Sequence, residues 1–218
     1  MRAYYQIAMT MLLLLTIRTL VATGADVIQC GNLIYAGTQT SRCFSDEFLG
    51  EVQKKTTIQT ERRFKSVKLD SDELFKFPFI VITGESNFYF SPKEREHFKK
   101  YLENGGFVLA SAGCSSKNFD ESFRREMKTI FKDPIQKIPA EHPVFSILNK
   151  IDKLKLRHDE PPPPCLEGLK LNDKMVLIYS AHGLNDTAHT SGCCCCGGNE
   201  IQNSIELNVN ILLYALMH

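Results

Sequence analysis

Four consecutive cysteines, Cys193 to Cys196, follow His182 and His189 within one short stretch of this chain. Thiolates and imidazoles this close in sequence bind soft transition metals, pair as disulfides or carry out thiol redox chemistry. Cys193 and Cys196 form a Cys-x-x-Cys, whose two thiolates suit one edge of a tetrahedral Zn²⁺ site. The candidate metal ligands are Cys193, Cys194, Cys195, Cys196, His182 and His189.

Two other chemistries are open for the same thiols. Adjacent Cα atoms lie about 3.8 Å apart, below the usual disulfide range, so bonds between neighbouring cysteines would be strained. Disulfides that include Cys114 or Cys165 avoid this strain, and Cys30 with Cys43 is a further conceivable pair. A redox couple is the third alternative, because a helix that starts just after the thiols lowers their pKa.

Cys114 is a separate candidate, as the nucleophile of a thiol enzyme. It follows an apolar strand through Ala112-Gly113, a small-residue turn that could expose a thiol, and Glu85 or a histidine could act as base. The alternative is a buried or disulfide-bonded cysteine. Arg42, ahead of a helix start, suits a carboxylate or phosphate ligand. The candidate ligand-binding residues are Arg42, Cys43, Glu85 and Ser115.

The first residues read as an export signal. Arg2 supplies positive charge, and the apolar run from Ile7 to Ile17 is too short to span a bilayer. Small residues follow, which predicts a signal peptide over 1–25 and a single α/β domain over 26–218. Cleavage after Ala22 and an uncleaved anchor are the alternatives. The expected destination is the periplasm or the exterior, where oxidising conditions favour disulfides.

The charge balance excludes one class of partner. The chain has 26 basic and 25 acidic residues and no basic tract, so we expect no nucleic-acid partner. A second long apolar run is absent from the sequence, so we expect no membrane span in the mature chain. A small ligand or a protein is the expected partner.

Strand and helix patterns alternate along the chain. Predicted strands are 33–35, 63–69, 79–83, 107–110, 154–158 at an edge, 169–171 and 175–179. Predicted helices open at Ser45-Asp46-Glu47, at the capping box Ser91-Pro92-Lys93-Glu94, at Asp120 as N-cap, and near Asn199. Arg124, Arg125 and Glu126 are expected on a solvated helix face. Strands joined by helices predict a three-layer α/β sandwich with a mostly parallel sheet, flavodoxin-like in general form.

The parallel sheet also predicts where the chemistry lies. Open α/β sheets bind ligands beyond the carboxyl ends of their strands. The polar stretches 37–43, 84–87, 111–116 and 180–196 each follow a predicted strand. We therefore expect them to converge at one edge of the sheet.

Several phrases resemble an uncharacterised, mostly bacterial exported family, domain of unknown function 4159. They are residues 74–79, 83–84, 101–107, 123–127, 142–145, 166–168 and 208–210. The resemblance covers nearly all of the mature chain and implies a fold similar to the class I glutamine amidotransferases. Those enzymes place a catalytic cysteine in Gly-x-Cys-x-Gly after a buried strand. Here Ala112 stands at that position and Cys114 falls two residues late, which argues against amidotransferase activity.

These observations give a leading interpretation and two rivals. The leading one is an exported, non-catalytic module that binds a ligand or partner, with a Cys/His soft-metal site at the strand ends. The first rival is a hydrolase or redox enzyme that uses Cys114 or Cys193 and Cys196. The second is a disulfide-stapled interaction domain without metal.

Overall fold

One sheet of eight strands runs through the part of the chain that the structure describes. The computed structural model describes residues 27–40, 44–132, 135–156, 158, 161–185 and 200–218. The strands are β1 (Gly31–Tyr35), β2 (Gln39–Thr40), β3 (Lys65–Lys68), β4 (Phe79–Gly84), β5 (Phe107–Ala112), β6 (Gln136–Lys137), β7 (Glu167–Leu171) and β8 (Lys174–Ser180).

The centre of the sheet is parallel, as predicted. β3, β1, β4, β5 and β8 lie side by side in that order and run in the same direction. β2 is antiparallel to β1, β7 to β8 and β6 to β7. The reversal between β7 and β8 follows from Asn172 and Asp173, whose φ angles of 51° and 64° allow a tight two-residue turn.

Helices cover both faces of the sheet, so the three-layer α/β sandwich is confirmed. In the described chain they are α1 (Glu47–Lys55), α2 (Pro92–Glu103), α3 (Lys117–Ile130) and α4 (Ser204–Met217). One core cluster joins α1 and α4 to one face, and the other joins α2 and α3 to the opposite face. None of the described helices has the length and apolar character needed to cross a membrane.

The start of α2 shows how local sequence sets an element. Ser91 Oγ accepts a hydrogen bond from the Glu94 amide at 3.2 Å, and Glu94 Oε2 accepts one from the Ser91 amide at 2.7 Å. This is the predicted capping box. Glu94 Oε1 also accepts from the Ala36 amide at 2.7 Å, which ties the helix to the turn after β1.

Two helices begin at residues other than those predicted. α3 begins four residues earlier, with Ser116 rather than Asp120 as N-cap, because Ser116 Oγ accepts from the Phe119 amide. α4 begins at Ser204 rather than near Asn199. Ile201 instead forms an isolated antiparallel β-bridge with Leu156. The Ile201 amide donates to Gly183 O at 2.9 Å, and the Gln202 amide donates to Lys155 O at 2.8 Å.

Two further expectations are wrong. Of the predicted edge strand 154–158, the described residues show one bridge at Leu156 and no strand. The predicted solvated face of α3 fails at Glu126, whose side chain is fully buried. Arg95 on α2 donates to it through Nε at 2.7 Å and through Nη2 at 3.2 Å. The partner of Glu126 lies 31 residues away in the sequence, so no local signal predicts that this carboxylate is buried.

Cys30 is a fully buried thiol beneath α1 and α4, and its ionisation should affect stability. Burial raises the pKa of Cys30 from 9.0 to about 12, because the thiolate loses its hydration. The folded-state pKa lies above the unfolded one, so the thiol stabilises the fold fully below pH 9.0. That contribution is lost as the pH rises toward 12.

We therefore expect the free energy of unfolding to fall between pH 9.0 and 12, and less steeply in Cys30→Val. Urea unfolding at several pH values measures both slopes. Burial also raises the pKa values of Tyr35, Tyr101 and Tyr179, but these phenols are common to both proteins. An equal fall of the unfolding free energy with pH in both proteins would contradict the prediction. A disulfide between Cys30 and Cys43 would contradict it as well, and Cys43 lies outside the described residues.

Candidate functional site

Three adjacent strands end together, and polar loops follow each of them. β4, β5 and β8 are parallel, with Gly84 in register with Ala112 and Ser111 in register with Ser180. The loops that follow therefore leave the sheet side by side. We call the segments 83–87, 111–116 and 180–185 the carboxyl edge. In open α/β sheets, ligands bind outside the carboxyl ends of the parallel strands, which is where these three segments lie.

Buried hydroxyls lie at the last residue of β8 and at the residue before the last in β4 and β5. Thr83, Ser111 and Ser180 are nearly or fully buried and continue the face whose apolar residues pack against α1 and α4. Ser111 Oγ donates to Thr83 Oγ1 at 3.4 Å, and Ser180 Oγ accepts from the His182 amide at 3.2 Å. The polar layer marks where the hydrophobic core gives way to the carboxyl edge.

Cys114 lies in a sharp turn between β5 and α3. Its φ of 52° and ψ of 26° are left-handed, and Ser115 has a φ of 54°. Such a conformation costs a non-glycine residue about 1–2 kcal/mol. Gly113 fits closely in this turn. A Cβ at this position would lie 3.2 Å from both Gly84 O and Thr83 Oγ1, which is closer than a Cβ usually comes to another atom. The surrounding structure thus holds Cys114 in a strained position at the carboxyl edge.

A buried carboxylate 86 residues further along the chain is hydrogen bonded to this turn. Glu200 is 6% exposed, and its Oε1 accepts from the Cys114 amide at 3.1 Å and from Asn185 Nδ2 at 3.1 Å. At Gly183 a Cβ would lie only 2.5 Å from the same oxygen. A glycine is therefore needed for Glu200 to reach Cys114. This cluster of Cys114, Gly183, Asn185 and Glu200 is called the Glu200 cluster below.

The Glu200 cluster contains the two described residues that flank the cysteine-rich segment, Asn185 and Glu200. Residues 186–199 lie outside the described residues, but both of their neighbours are placed. Asn185 and Glu200 are hydrogen bonded to each other, and the Ile201 amide donates to Gly183 O at 2.9 Å. The segment therefore leaves and rejoins the described chain at the carboxyl edge, beside Cys114.

The predicted site residues fall into two groups. Cys114, Glu85, Ser115 and His182 all lie at the carboxyl edge. The remaining candidates lie outside the described residues: Arg42, Cys43, His189, Cys193, Cys194, Cys195 and Cys196. In the part of the chain that is described, no group of three or more His, Cys, Asp or Glu side chains could hold a metal ion.

Sequence reasoning missed Glu200 and Asn185. A glutamate after a glycine-rich stretch normally faces solvent, and no local pattern marks its burial. The hydroxyls of Thr83, Ser111 and Ser180 did leave a signal. Ser111 and Ser180 begin two of the polar stretches that the sequence predicts at this edge, and Thr83 is the last residue of the predicted strand 79–83.

The comparisons with known proteins bear on the whole of this fold. A model of the family described as domain of unknown function (DUF4159) matches residues 32–216, from β1 to α4. The chain belongs to this family. A search of the curated proteins finds no match to this chain.

Phrases that resemble the family have packing roles in this DUF4159 domain. Arg124 lies in one phrase and Glu167 in another, and Arg124 Nη1 and Nη2 donate to Glu167 at 3.0 and 2.6 Å. Arg124 Nε also donates to Asp120 at 2.9 Å, and Asp120 accepts from Tyr179 Oη at 2.6 Å. The network joins α3 to β7 and β8 behind the carboxyl edge.

The structure shows where Ala112 and Cys114 lie, the two residues compared with the amidotransferase pattern in the sequence. Ala112 is the last residue of β5 and is fully buried. Cys114 lies beyond it, in the left-handed turn, and its amide donates to Glu200.

Proposed function

We propose that this domain is an exported, non-catalytic module that binds a ligand or partner at the carboxyl edge. We further propose that thiols and imidazoles of the segment 182–196 bind a soft metal there, Zn²⁺ or a similar ion. The observation that carries the proposal is the Glu200 cluster. In that cluster Asn185 and Glu200, the described residues on either side of 186–199, are hydrogen bonded to each other, and Glu200 also accepts from the Cys114 amide.

Binding fits the turn at Cys114 better than catalysis. Thiol and serine hydrolases stabilise a developing oxyanion with backbone N–H groups that are open to the substrate. The Cys114 amide instead donates to the Glu200 carboxylate. A substrate oxyanion would have to displace an internal anion that is itself buried. This arrangement favours a fixed binding surface.

Soft-metal binding rests on donor chemistry and on the placement of the segment's ends. Cysteine and histidine are the preferred ligands of Zn²⁺, and Cys193-x-x-Cys196 has the spacing of a zinc knuckle. His182 and Cys114 at the carboxyl edge are the described candidates to complete the coordination.

A thiol enzyme is the second candidate, and one observation favours it. Cys114 stands in a strained left-handed turn between a buried strand and a helix. Strained backbone is often found at active sites. A catalytic Cys114 would be a single low-pKa thiol that alkylates rapidly near neutral pH, whereas a metal-bound thiolate would be protected until the metal is removed.

The metal proposal predicts a coupled loss of ion and stability. In the purified mature protein we expect bound metal, with Cys193→Ser and Cys196→Ser each lowering metal content and melting temperature together. The physical reason is that a structural ion contributes its binding free energy to folding. Elemental analysis and thermal unfolding measure the two quantities, and thiol counting before and after chelation shows which sulfurs were protected.

Cys165→Ser is the matched control, because Cys165 belongs neither to the Glu200 cluster nor to the proposed metal ligands. It should leave metal content unchanged. Metal-free protein without reactive thiols would favour the disulfide-stapled domain instead. Metal-free protein with one fast-reacting thiol at Cys114 would favour the enzyme.

A further inference from the structure

A cavity of about 340 Å³ lies beside the antiparallel edge of the sheet. It opens between β6, the stretch from Phe145 to Leu154 and the residues that lead into β7. Its volume falls within the range of small-molecule sites, roughly 300–1,000 Å³. Nothing in the proposed function uses this cavity, because its lining residues do not include the carboxyl edge.

The floor of the cavity is apolar and firmly held. Ile138, Leu154 and Leu166 line it and are 3%, 6% and 0% exposed. The Ile138 amide donates to Leu166 O at 2.8 Å, and Ile151 is bonded through its amide to Phe145 O at 2.8 Å. Because its walls are fixed by backbone bonds, the cavity is preformed and suits an apolar group.

The rim of the cavity carries excess positive charge. Lys137 and Lys153 line it and are exposed, and neither has an ion-pair partner among the described residues. The acidic residue of the lining, Asp152, is already paired with Lys150, whose Nζ lies 3.2 Å from Asp152 Oδ1. Lysine charge without a carboxylate partner favours an anionic group at the rim.

We propose that this cavity binds a small amphipathic anion. Its apolar chain packs on Ile138, Leu154 and Leu166, and its acidic head group lies at the rim with Lys137 and Lys153. A free carboxylic acid with a medium-length alkyl chain has this chemistry. The site is independent of the metal proposal, so either can fail without the other.

Cys165 supplies a reporter inside the cavity. It lines the wall and is partly exposed. Burial and the neighbouring Glu167 raise the pKa of its thiol, which is therefore mostly protonated and alkylates slowly at neutral pH. A bound ligand should slow this alkylation further, and peptide mass spectrometry can follow Cys165 separately from the other cysteines.

The test uses decanoate with the purified mature protein, below the concentration at which decanoate forms micelles. We expect saturable binding by calorimetry and at least tenfold slower alkylation of Cys165 at saturation. Decyltrimethylammonium has the same chain and the opposite charge, and should bind at least tenfold more weakly. Hexanoate has four fewer methylene groups and should also bind at least tenfold more weakly, because it buries less apolar surface.

Charge variants test the rim directly. Lys137→Glu and Lys153→Glu together should weaken decanoate binding at least tenfold. Lys128→Glu is the control, because Lys128 is an exposed lysine of α3 outside the lining, and it should change binding less than threefold. Melting temperatures confirm that each variant is folded. Equal binding of the anionic and cationic probes, or unchanged alkylation of Cys165, would overturn the proposal. Binding to phosphatidylglycerol vesicles without binding of free decanoate would overturn it as well.

Discussion

We expect Arg95→Met to lower the free energy of unfolding by about 3 kcal/mol, because it removes the cation that is hydrogen bonded to the buried Glu126 carboxylate. Arg125 remains near this carboxylate, but its Nε lies 4.0 Å from Glu126 Oε1 and makes no hydrogen bond to it among the described residues. Arg95 on α2 holds both oxygens of Glu126 on α3, at 2.7 and 3.2 Å. Glu126 is 0% exposed and Arg95 is 32% exposed. The charge that would remain is therefore the one that water cannot reach. Urea unfolding followed by circular dichroism gives the free energy.

Lys100→Met is the matched control on the same helix. The Lys100–Glu96 pair has the same 2.7 Å separation as the Arg95–Glu126 pair, but its side chains are 56% and 60% exposed. Solvent screens this pair, so its loss should change the free energy of unfolding far less than the loss of Arg95 does. Combining Arg95→Met with Glu126→Leu should recover most of the lost stability, since no buried charge is left. Similar losses in the two single variants would show that burial of Glu126 is not the cause.

The second large effect is expected at Asn210 of α4. Asn210 is fully buried, and its Nδ2 donates to Val144 O at 3.0 Å and to Asn149 O at 2.7 Å. Its Oδ1 accepts from the Asn149 amide at 2.9 Å. Asn210→Leu keeps a similar volume but leaves these three backbone groups unpaired. At about 1 kcal/mol for each lost bond, we expect unfolding to become easier by about 3 kcal/mol.

Asn208→Leu is the matched control for this variant. Asn208 lies on the same helix and is also buried, yet among the described residues its side chain makes one bond, from Nδ2 to Leu184 O at 3.0 Å. Its Oδ1 is buried and has no partner in the described part of the chain, so leucine also removes an unsatisfied acceptor. We expect a loss below about 1 kcal/mol. Hydrogen exchange should show faster opening at the Asn149 amide in Asn210→Leu alone, and equal behaviour of both variants would contradict this account.

Much of the candidate site was accessible from the sequence through one topological rule. Parallel strands share a carboxyl edge, so the residues after β4, β5 and β8 had to meet. This reasoning placed Glu85, Cys114 and His182 together. It could not find Glu200, because a carboxylate 86 residues from Cys114 reaches it only after α4 has packed against the sheet.

By itself, the sequence determined the elements whose signals are local. Ser91 and Glu94 cap their helix, and the turn at Asn172 and Asp173 reverses the chain, because each needs only residues a few positions away. Tertiary structure alone decided which charges are buried and which side chains meet. Glu126 is buried because Arg95 crosses from another helix, and Glu200 meets Cys114 because Gly183 leaves room for it. Such contacts depend on long-range packing, for which the surrounding sequence carries no periodic or capping signal.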